Sequence, residues 1–196
     1  MVAPIQFWFD FASTYSYLSA MRIEKAASAK GVAVEWNPFL LGPIFADQGW
    51  NNSPFNLYPA KGTYMWRDME RLCAARGLPL QRPDPFPQNS LKAARLALAA
   101  DGPERAELVR AIYNAEFGNG MDISDASVLD RCLSSASLPP DIMDRTQSPD
   151  IKNALFGQVD RAKALGIFGA PSFIVGDELY WGDDRLDEAL SYAATF

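Results

Sequence analysis

Ser13 is the residue of this chain best placed to do chemistry. It follows a short apolar segment, residues 5–9, and a polar turn, and it precedes a run of residues with helical spacing. A serine there is typical of a helix N-cap, whose hydroxyl satisfies a free backbone amide. The same helix end favours negative charge. Serine is a poor nucleophile without an adjacent base, so its alternative role is to donate a hydrogen bond to a group that is already anionic.

The absence of histidine excludes several classes of active site. The chain has no histidine and two cysteines, so Ser-His and Cys-His nucleophile pairs and hydrolase triads are excluded. Zinc catalysis would need a cluster of carboxylate and thiolate ligands that the sequence does not contain. Cys73 and Cys132 match no metal or redox spacing, and we expect two buried free thiols and no metal site.

Composition indicates a globular protein that acts on small molecules. The chain has 196 residues, of which 48% are hydrophobic and 21% charged, enough for a full core. Its net charge is -6 and its 18 Lys and Arg residues are dispersed, which argues against nucleic-acid partners and anionic membrane surfaces. Without an 18-residue apolar run or a basic leader followed by an apolar segment, we expect no membrane association and a cytoplasmic location.

The elements that would position Ser13 begin with a β-α-β unit. The pattern predicts a strand at 5–9, a helix to about Lys30 closed by Gly31, and a second strand at 32–36, joined as a parallel crossover. Residues 37–59, rich in Pro, Gly and Asn, are predicted to form a loop.

Helices and then strands follow. Helical patterns occupy 60–76, 89–100, 103–117, 124–135 and 148–165. Beyond Gly166, strands are predicted at 172–175 and 178–181 around a turn at Gly176 and Asp177, with a last helix at 183–193.

The order βαβ, helices, ββα resembles a thioredoxin-like sheet with an inserted all-helical domain, an α/β fold. This resemblance implies a discontinuous sheet domain of residues 1–40 and 166–196. Residues 41–165 would form the helical insertion.

Motifs along the chain resemble one family in particular. They are Phe9-Asp10-Phe11-x-Ser13-x-Tyr15-Ser16-Tyr17, Pro59-Ala60-Lys61 with Tyr64 and Arg67-Asp68, the loop from Gly166 to Phe173, and Trp181-Gly182-Asp183-Asp184-Arg185-Leu186. In this order they are similar to 2-hydroxychromene-2-carboxylate isomerases, which are related to kappa-class glutathione transferases. Thr14 differs from the proline of most relatives, which should change the stiffness of the turn more than its chemistry.

The resemblance implies glutathione as cofactor and assigns its site. Ser13 would face the sulfur, Lys61 would hold a carboxylate, and Ala170 with a cis Pro171 would pair with the peptide backbone. The γ-glutamyl end would lie at Trp181, Gly182, Asp183 and Asp184. Polar substrate-site positions would be Asn51, Asn52, Gln88 and Asn89, with Phe45 in an aromatic wall.

Each of these residues also has a structural interpretation. Pro171 could simply begin a strand, and Asp183 and Asp184 could complement a helix dipole. Lys61 could be a solvated helix-start residue, and Phe45 could belong to the core.

By resemblance, the predicted function is glutathione-dependent cis-trans isomerisation of a small aromatic substrate to trans-o-hydroxybenzylidenepyruvate. The reaction would belong to the breakdown of aromatic compounds such as naphthalene. The resemblance also implies that the enzyme is a homodimer. One alternative is a kappa-class glutathione transferase that releases a conjugate. Another is a thiol-peptide binding protein without activity, or a degenerate relative of disulfide oxidoreductases. Residues 13–16 contain no Cys-x-x-Cys, which argues against redox work.

Overall fold

The computed structural model describes residues 2–196, so residue 1 of the predicted sheet domain lies outside it. Four strands form one sheet: β1 (Ile5–Phe9), β2 (Val34–Pro38), β3 (Ser172–Val175) and β4 (Glu178–Trp181). Their order is β2-β1-β3-β4, with β1 parallel to β2 and antiparallel to β3, and β3 antiparallel to β4. The four strands and the hairpin are where the sequence predicts them, except that β2 is displaced by two residues.

β1 pairs with a strand on each side, and both of its faces are apolar. Phe7 and Phe9 pack on one face and Trp8 on the other, and all three are fully buried. The Phe7 ring stacks on Phe173 of β3 at 5.5 Å between centroids and meets the edge of Trp36 of β2 at 5.1 Å. These cross-strand aromatic pairs fix the register of all three strands. The carboxyl end of β1 is therefore held in place, and the turn that contains Ser13 follows it directly.

Eleven α-helices lie in the part of the chain that the structure describes. They are α1 (Thr14–Ala20), α2 (Ile23–Ser28), α3 (Leu41–Asp47), α4 (Pro54–Leu57), α5 (Pro59–Arg76), α6 (Leu91–Ala99), α7 (Gly102–Tyr113), α8 (Ala126–Ser135), α9 (Ile142–Arg145), α10 (Pro149–Ala164) and α11 (Leu186–Ala193). A π-helical turn, Asn114–Gly118, continues α7, and a 3-10 turn, Asp183–Arg185, precedes α11.

The first predicted helix is two helices. The backbone of Arg22 leaves the helical region, at φ -130° and ψ -18°, and separates α1 from α2. Its guanidinium reaches Asp183 and Asp187, residues remote in sequence. The amide of Val32 donates to the Ala27 carbonyl at 3.0 Å, which closes α2 and delays β2. Tertiary and capping contacts thus override the local pattern.

The predicted loop at 37–59 contains two helices, α3 and α4, so that expectation is wrong. The amide of Leu41, at the start of α3, donates to the Asp10 carboxylate at 2.7 Å, which supplies a cap from outside the segment. Ser53 caps α4 by accepting from the Phe55 amide, with Pro54 in the first turn. The short helix α9 is also absent from the sequence prediction.

One apolar core joins sheet and helices. Phe9, Phe11, Tyr113 and Phe117 are fully buried and connected ring to ring, from β1 through the turn to the end of α7. The segment that carries Ser13 therefore rests on a rigid aromatic layer. The division into a sheet domain and a helical insertion stays a prediction.

Candidate functional site

A large cavity opens at the carboxyl end of β1. Its volume is about 1070 Å³, and most of its wall is apolar or aromatic. The first turn of α1, the helices α3 to α5, the start of α6 and the loop before β3 all contribute. A concave, mostly apolar site with few polar groups is typical of a small-molecule binding site.

Ser13 lies in the wall of this cavity, 8% exposed. Its backbone is extended, and its Oγ accepts a hydrogen bond from the Ser16 amide at 3.3 Å, so it is the N-cap of α1 as predicted. The same hydroxyl donates to the carbonyl oxygen of Ala170 at 2.9 Å. Both interpretations of Ser13 therefore fit the geometry, because a hydroxyl that accepts as a cap still has one proton to donate.

Asp10 holds the turn before Ser13 in place. Its carboxylate accepts from the amides of Ala12 at 3.0 Å and Leu41 at 2.7 Å. Burial raises the pKa of the Asp10 carboxyl, and hydrogen bonds from the Leu41 amide and the Ser90 hydroxyl oppose that rise. Sequence reasoning gave Asp10 no role, although its place directly after a buried strand was a signal. Asp10 joins the end of β1 to the start of α3 and is itself part of the cavity wall.

The loop before β3 faces Ser13. The Ala170-Pro171 peptide bond is cis, as the resemblance implies. Gly169 and Ala170 line the cavity, whereas Pro171 is not part of its wall. The Pro171 carbonyl accepts from the Gly182 amide at 2.9 Å, which fastens the loop to the residue after β4. A side chain at Gly169 would place its Cβ 2.5 Å from the indole nitrogen of Trp181, so the Trp181 ring rests directly on this glycine and would have to move for any larger residue.

Lys61 and Trp181 line the same cavity. Among the described residues, Lys61 is the only lysine or arginine in the wall. Its ammonium lies 4.6 Å from the centroid of the Tyr58 ring and forms no ion pair within residues 2–196. The charge is therefore available to an anionic ligand. The indole of Trp181 packs on Phe168 at 5.0 Å, and both rings reach the cavity.

The predicted substrate positions also line the cavity. They are Phe45, Asn51, Asn52, Gln88 and Asn89. Phe45 packs against Trp50 at 5.6 Å. Gln88 is 4% exposed; its carbonyl oxygen accepts from the Ile123 amide at 2.9 Å, while its amide nitrogen has no partner within residues 2–196. A buried donor without a partner is costly, so Gln88 is a candidate ligand contact.

Gly182, Asp183 and Asp184 lie outside the cavity wall. Asp183 is buried, and its carboxylate accepts from Ser19, from Arg22 at 3.2 Å and from Arg76 at 2.6 Å. This carboxylate is already occupied by two guanidinium groups. Asp184 is 72% exposed and pairs with Arg185 at 3.0 Å. Contact of residues 182–184 with glutathione stays a prediction, and Asp183 has a clear structural role that the sequence did not show.

Within residues 2–196, no group of three or more acidic or thiol side chains is placed to hold a metal ion. In the same part of the chain, no helix combines the length and apolar character needed to cross a bilayer.

A comparison with known families matches residues 4–194 to the DsbA-like thioredoxin domain. The chain belongs to this family. The match covers nearly the whole sequence and confirms the thioredoxin-like fold predicted from the order of the elements. The cavity at the end of β1 and the cis-proline loop that faces it therefore belong to a DsbA-like thioredoxin domain.

Within this family, the chain is similar to isomerases and to a kappa-class glutathione transferase. The chain is 33% identical over 196 residues to a 2-hydroxychromene-2-carboxylate isomerase of Sphingobium xenophagum, with 98% of each chain covered. It is 25% identical to human glutathione S-transferase kappa 1, over 93% of this chain and 87% of that protein. A solved 2-hydroxychromene-2-carboxylate isomerase superposes with a TM-score of 0.86 at 25% identity, covering 97% and 94% of the two chains. These relatives confirm the predicted resemblance and the prediction of an enzyme of the isomerase class.

Proposed function

We propose that this protein is a glutathione-dependent isomerase whose substrate is 2-hydroxychromene-2-carboxylate or a related aromatic acid. The observation that carries the proposal is Ser13, which presents its hydroxyl at the N-terminus of α1 inside the large cavity, 2.9 Å from the Ala170 carbonyl. The isomerase of Sphingobium xenophagum, similar over nearly the whole chain, supports the same reaction.

The site fits glutathione on three separate observations. Ser13 offers a proton at a helix N-terminus, Lys61 offers a charge without an ion-pair partner in the described chain, and the amide of Gln88 offers a buried donor. Trp181 adds an apolar face. Glutathione carries a sulfur, two carboxylates and two peptide groups, which match this set of donors.

Ser13 would favour the ionised form of the sulfur. A hydrogen bond to a charged acceptor contributes about 1.5–3 kcal/mol, and the helix dipole about 0.3–1 kcal/mol. Giving up the hydrogen bond to the Ala170 carbonyl offsets about 0.5–1.5 kcal/mol of this. Since one pKa unit is about 1.4 kcal/mol, the net effect would lower a thiol pKa by up to roughly 2 units. That change is sufficient to make the thiolate abundant at neutral pH.

When bound, glutathione would supply a thiolate that adds reversibly to a conjugated carbon of the substrate. The addition turns a double bond into a rotatable single bond, and loss of the thiolate after rotation restores the double bond. The protein would hold the sulfur at Ser13 and the far end of the peptide at Lys61. The wall around Phe45 and Trp50 would receive the aromatic ring and exclude water. No proton is consumed overall, which suits a site without histidine.

A kappa-class transferase is the alternative that a specific observation favours, namely the 25% identity to human glutathione S-transferase kappa 1. It would use the same thiolate and release a conjugate. Incubation with glutathione and the aromatic substrate separates the two functions: an isomerase regenerates glutathione, whereas a transferase depletes it in step with product.

The test of the proposal is a turnover assay of wild type and Ser13→Ala. We expect isomerisation that requires glutathione, and loss of most of it in Ser13→Ala, with a stability cost of about 1 kcal/mol for the lost cap. Ser148→Ala is the matched control, because Ser148 caps α10 in the same way but lies outside the cavity wall. An active Ser13→Ala enzyme, or turnover without glutathione, would refute the mechanism.

The remaining expectations concern place and assembly. A cytoplasmic location suits an enzyme that depends on glutathione, which keeps that compartment reducing, and both cysteines are free. The resemblance also implies a homodimer, which light scattering of the purified protein would measure.

A further inference from the structure

A second, smaller cavity lies beside the large one. Its volume is about 190 Å³. Asn89 and Leu91 belong to the walls of both cavities, so the two are neighbours at the start of α6. The other residues that line it are Lys92, Arg95, Ser124 and Gln147.

Arg95 has no partner for its charge. Its Nε is buried without a hydrogen bond, and no ion pair involves its guanidinium within residues 2–196. A guanidinium has five N–H donors, and a buried donor without an acceptor is rare in folded proteins. What distinguishes Arg95 is that its unpaired donor is buried and belongs to a residue that lines a cavity. An anionic ligand in the cavity would supply the missing acceptor.

Lys92 adds a second charge to the same cavity. It precedes Arg95 by three residues on α6, so both side chains project from one face of the helix. The Lys92 ammonium donates to the Ser124 carbonyl at 2.9 Å, which fixes it at the cavity wall. Asp125, an exposed residue of the neighbouring segment, interacts with Lys92 and does not line the cavity. No carboxylate stands among the lining residues in the described chain.

The ligands of the proposed function carry more carboxylates than the large cavity has cations. Glutathione has two carboxylates and the aromatic acid has one, whereas Lys61 is the only lysine or arginine in the wall among the described residues. The neighbouring cavity holds two cations with donors to spare.

We propose that the cavity at Lys92 and Arg95 is a carboxylate subsite of the large cavity. A planar guanidinium pairs with a carboxylate through two parallel hydrogen bonds, and the lysine adds a point charge. The carboxylate belongs either to the aromatic acid or to glutathione. This inference rests on the proposed function for its place in the reaction, but the binding chemistry stands on the two cations.

Direct binding tests the subsite without turnover. The probe is benzoate, titrated into the full-length protein and followed by NMR chemical shifts, with benzamide as its uncharged analogue. We expect benzoate to bind at least about tenfold more tightly than benzamide, and Arg95→Gln to weaken benzoate binding about 10- to 100-fold. Arg95→Lys, which keeps the charge, should retain part of the affinity.

Two further variants guard against misfolding and non-specific charge effects. Lys92→Gln should weaken benzoate binding in the same direction, and Arg131→Gln, an exposed arginine of α8 outside both cavities, should leave it unchanged. Benzamide binding equal to benzoate, or benzoate binding unchanged in both Arg95→Gln and Lys92→Gln, would overturn the proposal.

Kinetics of Arg95→Gln assign the carboxylate to its source. A raised KM for the aromatic acid alone places the aromatic carboxylate there, and a raised KM for glutathione alone places a glutathione carboxylate there. Unchanged KM values for both overturn the subsite while leaving the isomerase function intact. Conversely, a wild-type protein without turnover that binds benzoate through Arg95 would refute the isomerase and retain the anion site.

Discussion

The Ser13 hydroxyl has one proton to donate, so a bound thiol would have to compete for it with the acceptor already present. In this structure the Ala170 carbonyl receives it at 2.9 Å. A hydrogen bond between neutral groups contributes about 0.5–1.5 kcal/mol, and one to a charged group about 1.5–3 kcal/mol. If glutathione binds as proposed, its thiolate would therefore replace the Ala170 carbonyl as acceptor, whereas a neutral thiol would not. This competition would favour the ionised sulfur.

Lys61 should act on binding and not on the chemical step. Replacing Lys61 by Gln removes the charge in the cavity wall, so we expect the KM for glutathione to rise about tenfold. The turnover rate at saturating glutathione should hardly change, because the contact is equally present in ground state and transition state. Steady-state kinetics measure both. Lys30→Gln, an exposed lysine outside the cavity, is the control, and a fall in turnover rate at unchanged KM would contradict this role.

Glu116 should make the fold less stable as pH rises. It is fully buried in the π-helical turn without a partner for either oxygen in the described chain, and burial, followed by the charges of Asp10 and Asp122, raises its pKa well above the usual value. In the unfolded chain a glutamate loses its proton near about pH 4.3. Above that pH the unfolded state binds fewer protons than the folded state. The contribution of Glu116 to the free energy of unfolding is therefore complete below that pH, and it is lost as the pH rises towards the pKa of the folded state.

Glu116→Gln should remove this dependence, since the amide does not ionise. Urea unfolding at pH 5 and pH 7 measures the effect. The free energy of unfolding of the variant, relative to that of wild type, should be higher at pH 7 than at pH 5, by at most about 1.4 kcal/mol per pH unit. Glu178→Gln, at an exposed position, is the control. A stability difference that is the same at both pH values would mean that Glu116 is ionised in the folded protein.

At the scale of elements, the sequence predicts what local pattern determines. The strands β1, β3 and β4 are continuous apolar or alternating runs ended by Pro, Asp or Gly, and their predicted limits agree with the structure. The helix α3 was missed because its first amide is capped by Asp10, about thirty positions earlier in the chain. The partners of Asp183 were missed for the same reason. Local signals place Ser13 at its corner, but only the folded chain brings Ala170 to it.

Asp183 should matter for stability, and Asp184 should not. The buried Asp183 carboxylate joins Arg22, between α1 and α2, to Arg76, at the end of α5. Removing one partner of a buried ion pair leaves uncompensated charge and costs about 3 kcal/mol. We expect that loss for Asp183→Asn in urea unfolding. The adjacent Asp184→Asn is the matched control, because its side chain is 72% exposed, and should stay within about 0.5 kcal/mol. Equal effects of the two variants would show that the ion pairs do not hold these elements together.

At the scale of the whole molecule, the fold does not decide the chemistry. The DsbA-like thioredoxin family is identified by residues 4–194, yet the helix that begins at Ser13 carries no cysteine in its first turn. Function follows from side chains placed on the shared frame. Here those are a hydroxyl, a lysine and an aromatic wall, which suit the binding of a thiol more than the exchange of a disulfide.

Both cysteines should therefore be dispensable for turnover. Cys73 in α5 and Cys132 in α8 are buried and free, and burial raises both thiol pKa values, that of Cys132 to about 11. Such thiols are almost wholly protonated at neutral pH and are poor nucleophiles. The double variant Cys73→Ala, Cys132→Ala should lose about 1–2 kcal/mol of stability from the two small cavities and keep the glutathione-dependent rate. Turnover assays with circular dichroism as the check on folding measure both quantities. If a folded double variant loses turnover while Ser13→Ala retains it, the reacting sulfur belongs to the protein and not to glutathione.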